Sequence, residues 1–347
     1  MPNKKRKTMK DVARLAGVSQ STVSFVLNNT EEAISDATKK RVYEAVRQLN
    51  FVPRAKIQNY TKISDNVIAI VVPNISNLFY PFLIKYINIY AQAKDYKIII
   101  VNTNRDSKNE QDYYKFLINM KIAGIIYGFT PSLSDIIRAK GLNIPLVVIG
   151  ETDEDFETDI VTLNSYKAGE LLAAHLLELN HKRISFITSP IEGSSLSRKR
   201  RLQGLSSGLR GYAELDVITD HQEYEYDDAN YEIELGYNET VKLFKYGKQK
   251  PTAVVGANDM IAIGVIKALN ELNISLPGEV SVAGFDNIPI SELISPALTT
   301  VEHCTAQRAK LAIDLLHDKI NGKSQFSVRV NYDPILITRN STGSPCA

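Results

Sequence analysis

The sequence predicts a small all-α domain followed by a larger α/β domain of two Rossmann-like lobes. Residues 9–49 carry apolar side chains at helical spacing, whereas from residue 66 onward short, continuously apolar segments alternate with amphipathic ones. Apolar strands between helices are typical of parallel sheets covered on both faces. The alternation occurs as two separate series, and 347 residues leave room for both domains.

The first part of the chain has the pattern of a helix-turn-helix. Two short helices are expected over residues 9–28, joined at Gly17, which readily adopts the positive φ of a tight turn, with Ser19 as the N-cap of the second helix. Their shared apolar face is predicted to contain Val12, Leu15, Val23, Val26 and Leu27. The outer side of the second helix is polar and amide-rich. In this motif the second helix enters the major groove, so the pattern predicts DNA binding.

A third helix and a linker are predicted next. Residues 36–49 repeat apolar side chains at helical spacing, Ser35 can cap this helix, and Pro53 follows its end. Residues 54–64 are polar and lack an apolar stripe. We therefore expect a headpiece over residues 1–52, a hinge over 53–64, a two-lobed domain over 65–340 and a tail over 341–347.

Charge is distributed unevenly between these parts. Residues 1–60 hold twelve basic and five acidic side chains, about +7, whereas the remainder holds 29 against 34, about −5. A positive segment at one end suits phosphate binding at that end. Two cysteines, no N-terminal apolar segment and no apolar run of about 18 residues predict a cytoplasmic protein without disulfides or membrane spans.

The larger domain is predicted to contain two strand–helix series. The first has strands at 67–72, 97–101, 124–129 and 146–149 and helices at 81–95 and 110–120; the second has helices at 165–179, from 197, at 229–244 and at 260–272, with strands at 184–188, 253–256 and 280–285. A last helix is expected at 305–320 and a final strand at 332–338. Parallel strands place their carboxyl ends, and hence a binding cleft, at one edge of each sheet.

Enzyme motifs are missing from the sequence. It contains no phosphate-binding G-x-x-x-x-G-K-[ST], no G-x-G-x-x-G after a strand and no G-x-S-x-G elbow. The five histidines are dispersed, and the acidic run at residues 223–228 is interpreted as a solvated loop. We therefore predict neither enzymatic activity, nor a cofactor, nor a metal site.

Residues 8–19, TMKDVARLAGVS, followed by Thr22-Val23-Ser24, resemble the N-terminal signature of the lactose-repressor (LacI/GalR) family of bacterial transcription regulators. The resemblance extends over almost the whole chain. It implies a periplasmic-binding-protein-like effector domain whose last helix and strand cross back between the lobes. It also implies a homodimer, pseudo-palindromic operator DNA and a hinge that orders on the operator. No terminal leucine heptad of the kind that would make a tetramer is present.

The resemblance places the DNA contacts on the headpiece and hinge. The expected DNA-binding residues are Thr8, Gln20, Ser21, Thr22, Ser24, Phe25, Asn28, Ile57 and Tyr60. Phe25 stands where many relatives have arginine. In the hinge, Tyr60 replaces the usual leucine that inserts into the minor groove, and Arg54 replaces the usual asparagine. These departures predict a different sequence preference.

Four local motifs resemble the effector contacts of the family. The expected effector-binding residues are Phe79, Tyr80, Ser197, Arg201, Tyr231, Asn258, Asp286 and His303. Of the four successive basic residues, Arg201 precedes Leu-x-Gly as the family's effector arginine does, and residues 198–200 are expected to be solvated. Taken singly, Asn258 is commonly a helix cap and Tyr231 a packing residue. Together these side chains suit a polyhydroxylated ring, so a sugar or sugar phosphate is predicted.

Several alternatives stay open. Repression relieved by a sugar-like inducer is favoured, and a regulator that needs a nucleobase or phosphosugar corepressor is the main rival. A phosphoprotein-dependent carbon regulator is disfavoured, because residues 306–311 do not match the arginine-rich motif of that group. A transport-type sugar-binding protein without a DNA role is disfavoured, because such a protein does not need the basic headpiece. An enzyme on a Rossmann-like fold lacks its motifs.

Overall fold

The computed structural model describes residues 8–27, 34–49, 66–132, 144–152, 158–191, 195–220, 230–324 and 326–345. The chain divides into two compact units, Met1–Lys62 and Ile63–Ala347. Three residues expected to contact DNA, Asn28, Ile57 and Tyr60, lie outside the described residues, as does the hinge over 53–64.

The first unit contains the three predicted helices, α1 (Met9–Ala16), α2 (Gln20–Leu27) and α3 (Asp36–Gln48). The turn between α1 and α2 has the predicted geometry, because Gly17 has φ +63° and Ser19 Oγ accepts the Thr22 N–H at 3.0 Å. At the start of α1 the backbone N–H and hydroxyl of Thr8 both donate to Asp11, each at 2.8 Å. Local capping chemistry therefore defines the ends of this motif.

The core of the first unit is small and draws on all three helices. Its buried members are Val12, Ala13, Ala16, Val23, Val26, Val42 and Ala45. The prediction that Leu15 belongs to this face is wrong, since Leu15 is 48% exposed. At about 100° per residue, Leu15 lies over 100° around the helix from the centre of the face formed by the buried residues of α1.

The second unit alternates strands and helices, as predicted. In chain order the elements are β1 (Val67–Val72), α4 (Phe79–Gln92), β2 (Lys97–Asn102), α5 (Ser107–Asn119), β3 (Gly124–Tyr127), β4 (Leu146–Ile149), β5 (Asp159–Leu163), α6 (Ser165–Glu178), β6 (Arg183–Thr188), α7 (Leu196–Leu209), β7 (Glu214–Thr219), α8 (Tyr231–Tyr246), β8 (Ala253–Gly256), α9 (Asp259–Glu271), β9 (Ser281–Asp286), α10 (Ile290–Leu293), β10 (Thr299–Glu302), α11 (Thr305–Ile320), β11 (Arg329–Tyr332) and β12 (Ile335–Ile337).

These strands form two six-stranded sheets, one in each lobe. The first has the order β11-β5-β4-β3-β1-β2 and the second β12-β10-β9-β8-β6-β7. All neighbouring strands are parallel except β10 and β12, which are antiparallel. The predicted fold class is confirmed. Strands β5, β7, β10 and β11 were not predicted, and β7 is an edge strand whose mostly exposed or half-buried residues give no apolar run.

The prediction of one final strand over residues 332–338 is wrong. That segment contains the end of β11, in the first sheet, and then β12, in the second. Pro334 lies between them, and a proline cannot donate a ladder hydrogen bond. The chain therefore leaves one sheet and joins the other at this point.

Among the described residues, the chain passes between the lobes at three places. These are the connections from β5 to α6, from β10 to α11 and from β11 to β12. Helix α11 packs against α4 and strands β3 to β5, and so belongs to the first lobe. His303 lies in the second connection, directly before Cys304, whose φ of +51° turns the chain into α11.

Two glycines bring α6 and α7 into very close contact. A Cβ at Gly204 would clash with the carbonyl oxygen of Tyr166, and one at Gly169 with the carbonyl oxygen of Arg201. Only glycine allows this approach of two backbones. The packing fixes the height of α7 on the second lobe, and hence the backbone of Arg201.

The segment predicted as a tail is docked at least as far as Gly343. Ser341 is fully buried, and its hydroxyl accepts the Thr299 N–H at 2.8 Å and donates to the Val282 carbonyl at 2.6 Å. The Gly343 N–H donates to Ser281 Oγ at 3.0 Å. These residues complete the second lobe. In the part of the chain that the structure describes, no helix is long and apolar enough to span a membrane.

Candidate functional site

A cavity of about 570 Å³ lies between the two lobes. Loops that follow strands of both sheets line it, which is where doubly wound α/β folds bind their ligands. Seven of the eight predicted effector-binding residues line this cavity: Phe79, Tyr80, Ser197, Arg201, Asn258, Asp286 and His303. The eighth, Tyr231, is only 7% exposed and packs in the core of the second lobe. The structure does not place it in the lining.

Asp286 holds the centre of the site together. Its Oδ1 lies 3.1 Å from Arg201 Nη2 and 3.3 Å from His303 Nδ1. Burial raises the pKa of Asp286 to about 6, against the lowering effect of the Arg201 guanidinium. Burial together with the nearby Arg201 and Arg308 charges holds the pKa of His303 well below its usual range. The imidazole is therefore neutral near pH 7, with Nδ1 next to the Asp286 carboxylate.

The Arg201 guanidinium is fixed from several sides. It donates through Nη1 to the Ala257 carbonyl at 2.8 Å and lies 5.1 Å from the centre of the Phe285 ring. With the bond to Asp286, these contacts hold its plane in one orientation. A preorganised arginine loses little side-chain entropy when a ligand binds.

Glu232, at the start of α8, joins a second polar cluster that the sequence did not predict. It accepts from Asn258 Nδ2 at 2.7 Å, Arg198 Nη2 at 3.0 Å and Asn77 Nδ2 at 2.5 Å. Asn77 belongs to the first lobe, so this cluster bridges the cleft. Asn258 also caps α9 by accepting the Ile261 N–H at 3.0 Å. It is thus both a helix cap and a lining residue.

The prediction that residues 198–200 are solvated is wrong for both arginines. Arg198 lines the cavity and also donates to Ser189 Oγ. Arg200 donates to Glu151 Oε1 at 2.6 Å, across the cleft from the second lobe to the first. Each finds a partner because loops of both lobes converge on the start of α7, a long-range arrangement that spacing along one helix cannot show.

Aromatic rings form one wall of the cavity. The rings of Phe79 and Tyr80 meet edge to face at 5.3 Å, and Phe79 meets His303 at 5.9 Å. Burial raises the pKa of Tyr80, so its phenol stays protonated at neutral pH. Asn77 Oδ1 accepts the Phe79 N–H at 2.9 Å and sets the direction of this first turn of α4.

Several buried polar atoms of lining residues have no hydrogen-bond partner among the described residues. They are Arg201 Nε, His303 Nε2, Arg308 Nε and Glu151 Oε2. Buried polar groups are nearly always hydrogen-bonded, so unsatisfied ones concentrated at one cavity indicate a polar occupant. One nitrogen of a neutral imidazole donates and the other accepts, so a hydroxyl of the occupant can pair with His303 Nε2 in either form.

Asp259, behind Asp286, is a further buried carboxyl that the sequence analysis did not single out. It is fully buried and accepts from Ser291 Oγ and Thr300 Oγ1, each at 2.6 Å, and from the Ile288 N–H at 3.1 Å. Burial, with the nearby Asp286 charge, raises its pKa to about 7. It ties the loop after Asp286 to α9 and so supports the site from behind.

Comparison with known proteins places this arrangement in a family. Residues 8–54 match the bacterial regulatory proteins of the lacI family, and residues 173–342 match the periplasmic binding protein-like domain. The HTH-type transcriptional repressor PurR of Actinobacillus pleuropneumoniae serotype 3 (strain JL03) is 30% identical over 337 residues, covering 96% of this chain and 98% of that protein. The chain belongs to the lacI family.

Two further similar proteins support the assignment. The HTH-type transcriptional regulator DegA of Bacillus subtilis (strain 168) is 32% identical over 349 residues, which is 96% of this chain and 98% of that protein. A solved periplasmic binding protein/LacI transcriptional regulator from Alkaliphilus metalliredigens QYMF, complexed with D-xylulofuranose, is 27% identical with a TM-score of 0.69. It covers 80% of this chain and 99% of its own. This chain is accordingly a DNA-binding transcriptional regulator with an effector domain.

The surface of α2, the recognition helix of a lacI-family headpiece, has the predicted polar character. Gln20 and Ser21 are exposed, whereas Thr22, Ser24 and Phe25 are half-buried. Thr8 is exposed at the start of α1.

In the described ranges there is no group of three or more histidine, cysteine or acidic residues that could hold a metal ion.

Proposed function

We propose that this lacI-family regulator is a repressor whose affinity for operator DNA is controlled by a small sugar-like effector bound between its lobes. The main support is that Arg201, Asp286 and His303 lie together in the interlobe cavity. Arg201 Nε and His303 Nε2 also have no hydrogen-bond partner among the described residues. Relief of repression by an inducer is the favoured mode. A ligand that fits one separation of the lobes better than another shifts their equilibrium by its difference in affinity.

Sugar chemistry suits this cavity for two reasons. Hydroxyl groups both donate and accept, so they can pair with the carboxylate of Asp286, the guanidinium of Arg201 and the unsatisfied Nε2 of His303. The rings of Phe79 and Tyr80 offer an apolar wall for the carbon face of a sugar. The solved relative from Alkaliphilus metalliredigens QYMF is complexed with D-xylulofuranose, a ketose, which supports the same class of ligand here.

A nucleobase or phosphosugar corepressor is the second candidate. The edge-to-face aromatic group of Phe79, Tyr80 and His303 is the observation that favours a flat ring. Tyr231, the residue expected to stack on such a ring, instead packs in the core. Binding of purines against sugars by the pure protein separates the two candidates.

Homodimerisation is part of the proposal. Strand β2 is an edge strand of the first sheet, and exposed apolar residues lie on it and on the flanking helices: Ile89 (48%), Ile100 (44%), Tyr113 (41%) and Phe116 (53%). Exposed apolar patches of this kind mark interaction surfaces. A two-fold dimer would bind a pseudo-palindromic operator. We also propose that the protein is cytoplasmic, where operator DNA is found, and that it is not an enzyme.

Phe25 tests the DNA half of the proposal. Phenylalanine offers only apolar contact, for example with a thymine methyl, whereas arginine pairs bidentately with guanine, a difference of about 1–3 kcal/mol per base. We expect Phe25→Arg to change the preferred base at one position of each half-site when operators are selected from random DNA.

The control for Phe25→Arg is Leu15→Arg, which adds the same charge at an exposed position of α1. It should raise overall DNA affinity without changing base preference. Identical selected sequences for wild type and Phe25→Arg would show that Phe25 does not face the bases.

A further inference from the structure

The described residues that line the interlobe cavity carry more positive than negative charge. Four arginines and three carboxylates line it. Three guanidinium–carboxylate pairs lie at or beside the cavity: Arg198 with Glu232, Arg200 with Glu151, and Arg201 with Asp286. Arg308, which lines the cavity from α11, belongs to none of them.

Arg308 is buried without a matching anion. It is 6% exposed, and its Nη2 donates to the Val161 carbonyl at 3.4 Å. A guanidinium has five N–H donors, and Nε of Arg308 has no hydrogen-bond partner among the described residues. Among those residues, no carboxylate oxygen lies within 4.0 Å of the Arg308 guanidinium, the distance that defines an ion pair. Buried charges in proteins are normally paired, because leaving one unpaired is costly.

Glu151 is near Arg308, but it forms its ion pair with Arg200. Its charge acts on Arg308 through space, while its Oε1 is held by Arg200 at 2.6 Å. Burial and the Arg201 charge lower the pKa of Arg308 to about 10, so the side chain is still protonated at neutral pH. The Glu151 carboxylate therefore faces two guanidinium groups, Arg200 and Arg308, so these three side chains together carry one net positive charge.

The position of Arg308 in its helix strengthens this imbalance. It is the fourth residue of α11, whose first turn contains no acidic residue. The amino end of a helix carries partial positive charge, where a cation is disfavoured and an anion is stabilised. A bound anion would therefore stabilise the buried Arg308 charge at this end of the helix.

We propose that Arg308 forms a subsite for an anionic group of the effector, a phosphate ester or a carboxylate, on the first-lobe side of the cavity. The inference rests on the proposed effector site and narrows its ligand to charged sugar derivatives. The planar fork of arginine matches both kinds of oxyanion bidentately. A neutral sugar would fill the cavity and leave the Arg308 charge unpaired.

The test measures the melting temperature of the full-length protein without DNA. Inorganic phosphate, acetate and chloride are compared at one ionic strength for wild type, Arg308→Leu and Arg308→Lys. We expect phosphate or acetate to raise the wild-type value by about 2–4 °C more than it raises that of Arg308→Leu, as for a tenfold excess of ligand over its Kd. Arg308→Lys, which keeps the charge but loses the fork, should retain part of the shift.

Arg210→Leu is the matched control, because Arg210 is exposed at the end of α7 and does not line the cavity. It should keep the whole shift, which removes general salt effects from the comparison. If Arg308→Leu does not fold, Arg308→Gln takes its place. The anion that gives the Arg308-dependent shift identifies the group as phosphate or carboxylate, and glucose 6-phosphate, glucuronate and glucose then test it on a sugar.

Equal shifts in wild type and Arg308→Leu for both anions would overturn the anionic subsite. Tighter binding of glucose than of both charged derivatives by the wild type would also overturn it. Neither result touches effector control of DNA binding, which is measured separately with operator DNA. Failure of that control would instead overturn the proposed function.

Discussion

Replacing Asp286 with alanine is expected to weaken effector binding at least tenfold and to produce a repressor that stays on its operator in the presence of inducer. Asp286 is proposed to accept from effector hydroxyls, and its Oδ1 lies 3.1 Å from Arg201 Nη2 and 3.3 Å from His303 Nδ1. Its loss leaves the Arg201 guanidinium, 11% exposed, without its carboxylate. An unpaired buried polar group costs about 1–3 kcal/mol, and more when charged, where 1.4 kcal/mol is a factor of ten.

Operator affinity without effector should barely change in Asp286→Ala, because the headpiece is a separate unit. Asp95→Ala is the matched control, since Asp95 is exposed and, like Asp286, has a positive φ. It reproduces the backbone effect of the substitution without touching the cavity. Titration calorimetry with sugars and purines measures the change. Equal effector affinity in wild type and Asp286→Ala would remove Asp286 from the site.

Loss of the first sixty residues is expected to abolish DNA binding while leaving effector binding intact. These residues carry about +7 of formal charge against about −5 for the rest of the chain. Wild-type affinity should also fall steeply with salt, with a log–log slope near −0.9 for each phosphate neutralised. For six to ten phosphate contacts this means a loss of roughly 10³–10⁵ between 50 and 200 mM salt.

Fluorescence anisotropy of a labelled operator over a salt series measures this slope. The effector affinity of the truncated protein is measured in parallel as a control. An unchanged effector affinity would show that its effector domain is still folded. A flat wild-type affinity between low and moderate salt would contradict the phosphate-binding role of the headpiece.

Local chemistry explains which parts of the structure the sequence could predict. The helix-turn-helix depends on Gly17, Ser19 and Thr8, whose effects reach only one turn along the chain. The strand–helix alternation also appears as local runs of apolar residues. Leu15 was misplaced because the core of a three-helix unit is narrow, so a residue at the edge of a helix face falls outside it.

The parts that could not be predicted depend on contacts between distant segments. Glu232 joins Asn77 of the first lobe to Asn258 and Arg198 of the second, and nothing in its own neighbourhood marks it. Arg200 looked solvated until the first lobe supplied Glu151. The sequence contains no local pattern that shows how the two lobes are placed relative to each other, and that placement brings these partners together.

Tyr231 and Arg308 show how contacts between distant segments decide which residues reach the cavity. Tyr231 was expected there and is not in the lining, whereas Arg308 lines the cavity and was not expected. An aromatic residue at a helix start is compatible with ligand stacking, but the core of the second lobe takes Tyr231 instead. An arginine in the first turn of a late helix looks like surface charge, yet α11 turns back onto the first lobe and buries it at the cavity. A pattern along the chain shows which face of a helix is apolar but cannot show what that face meets.

The central claim is that a ligand in the interlobe cavity controls operator affinity. The most direct measurement is the Kd of the wild-type protein for its selected operator, with and without a sugar derivative that calorimetry has shown to bind. We expect an inducer at about ten times its Kd for the wild type to raise the operator Kd at least severalfold in wild type and to raise it much less in Asp286→Ala. An operator Kd that is the same with the cavity empty and occupied would contradict the account.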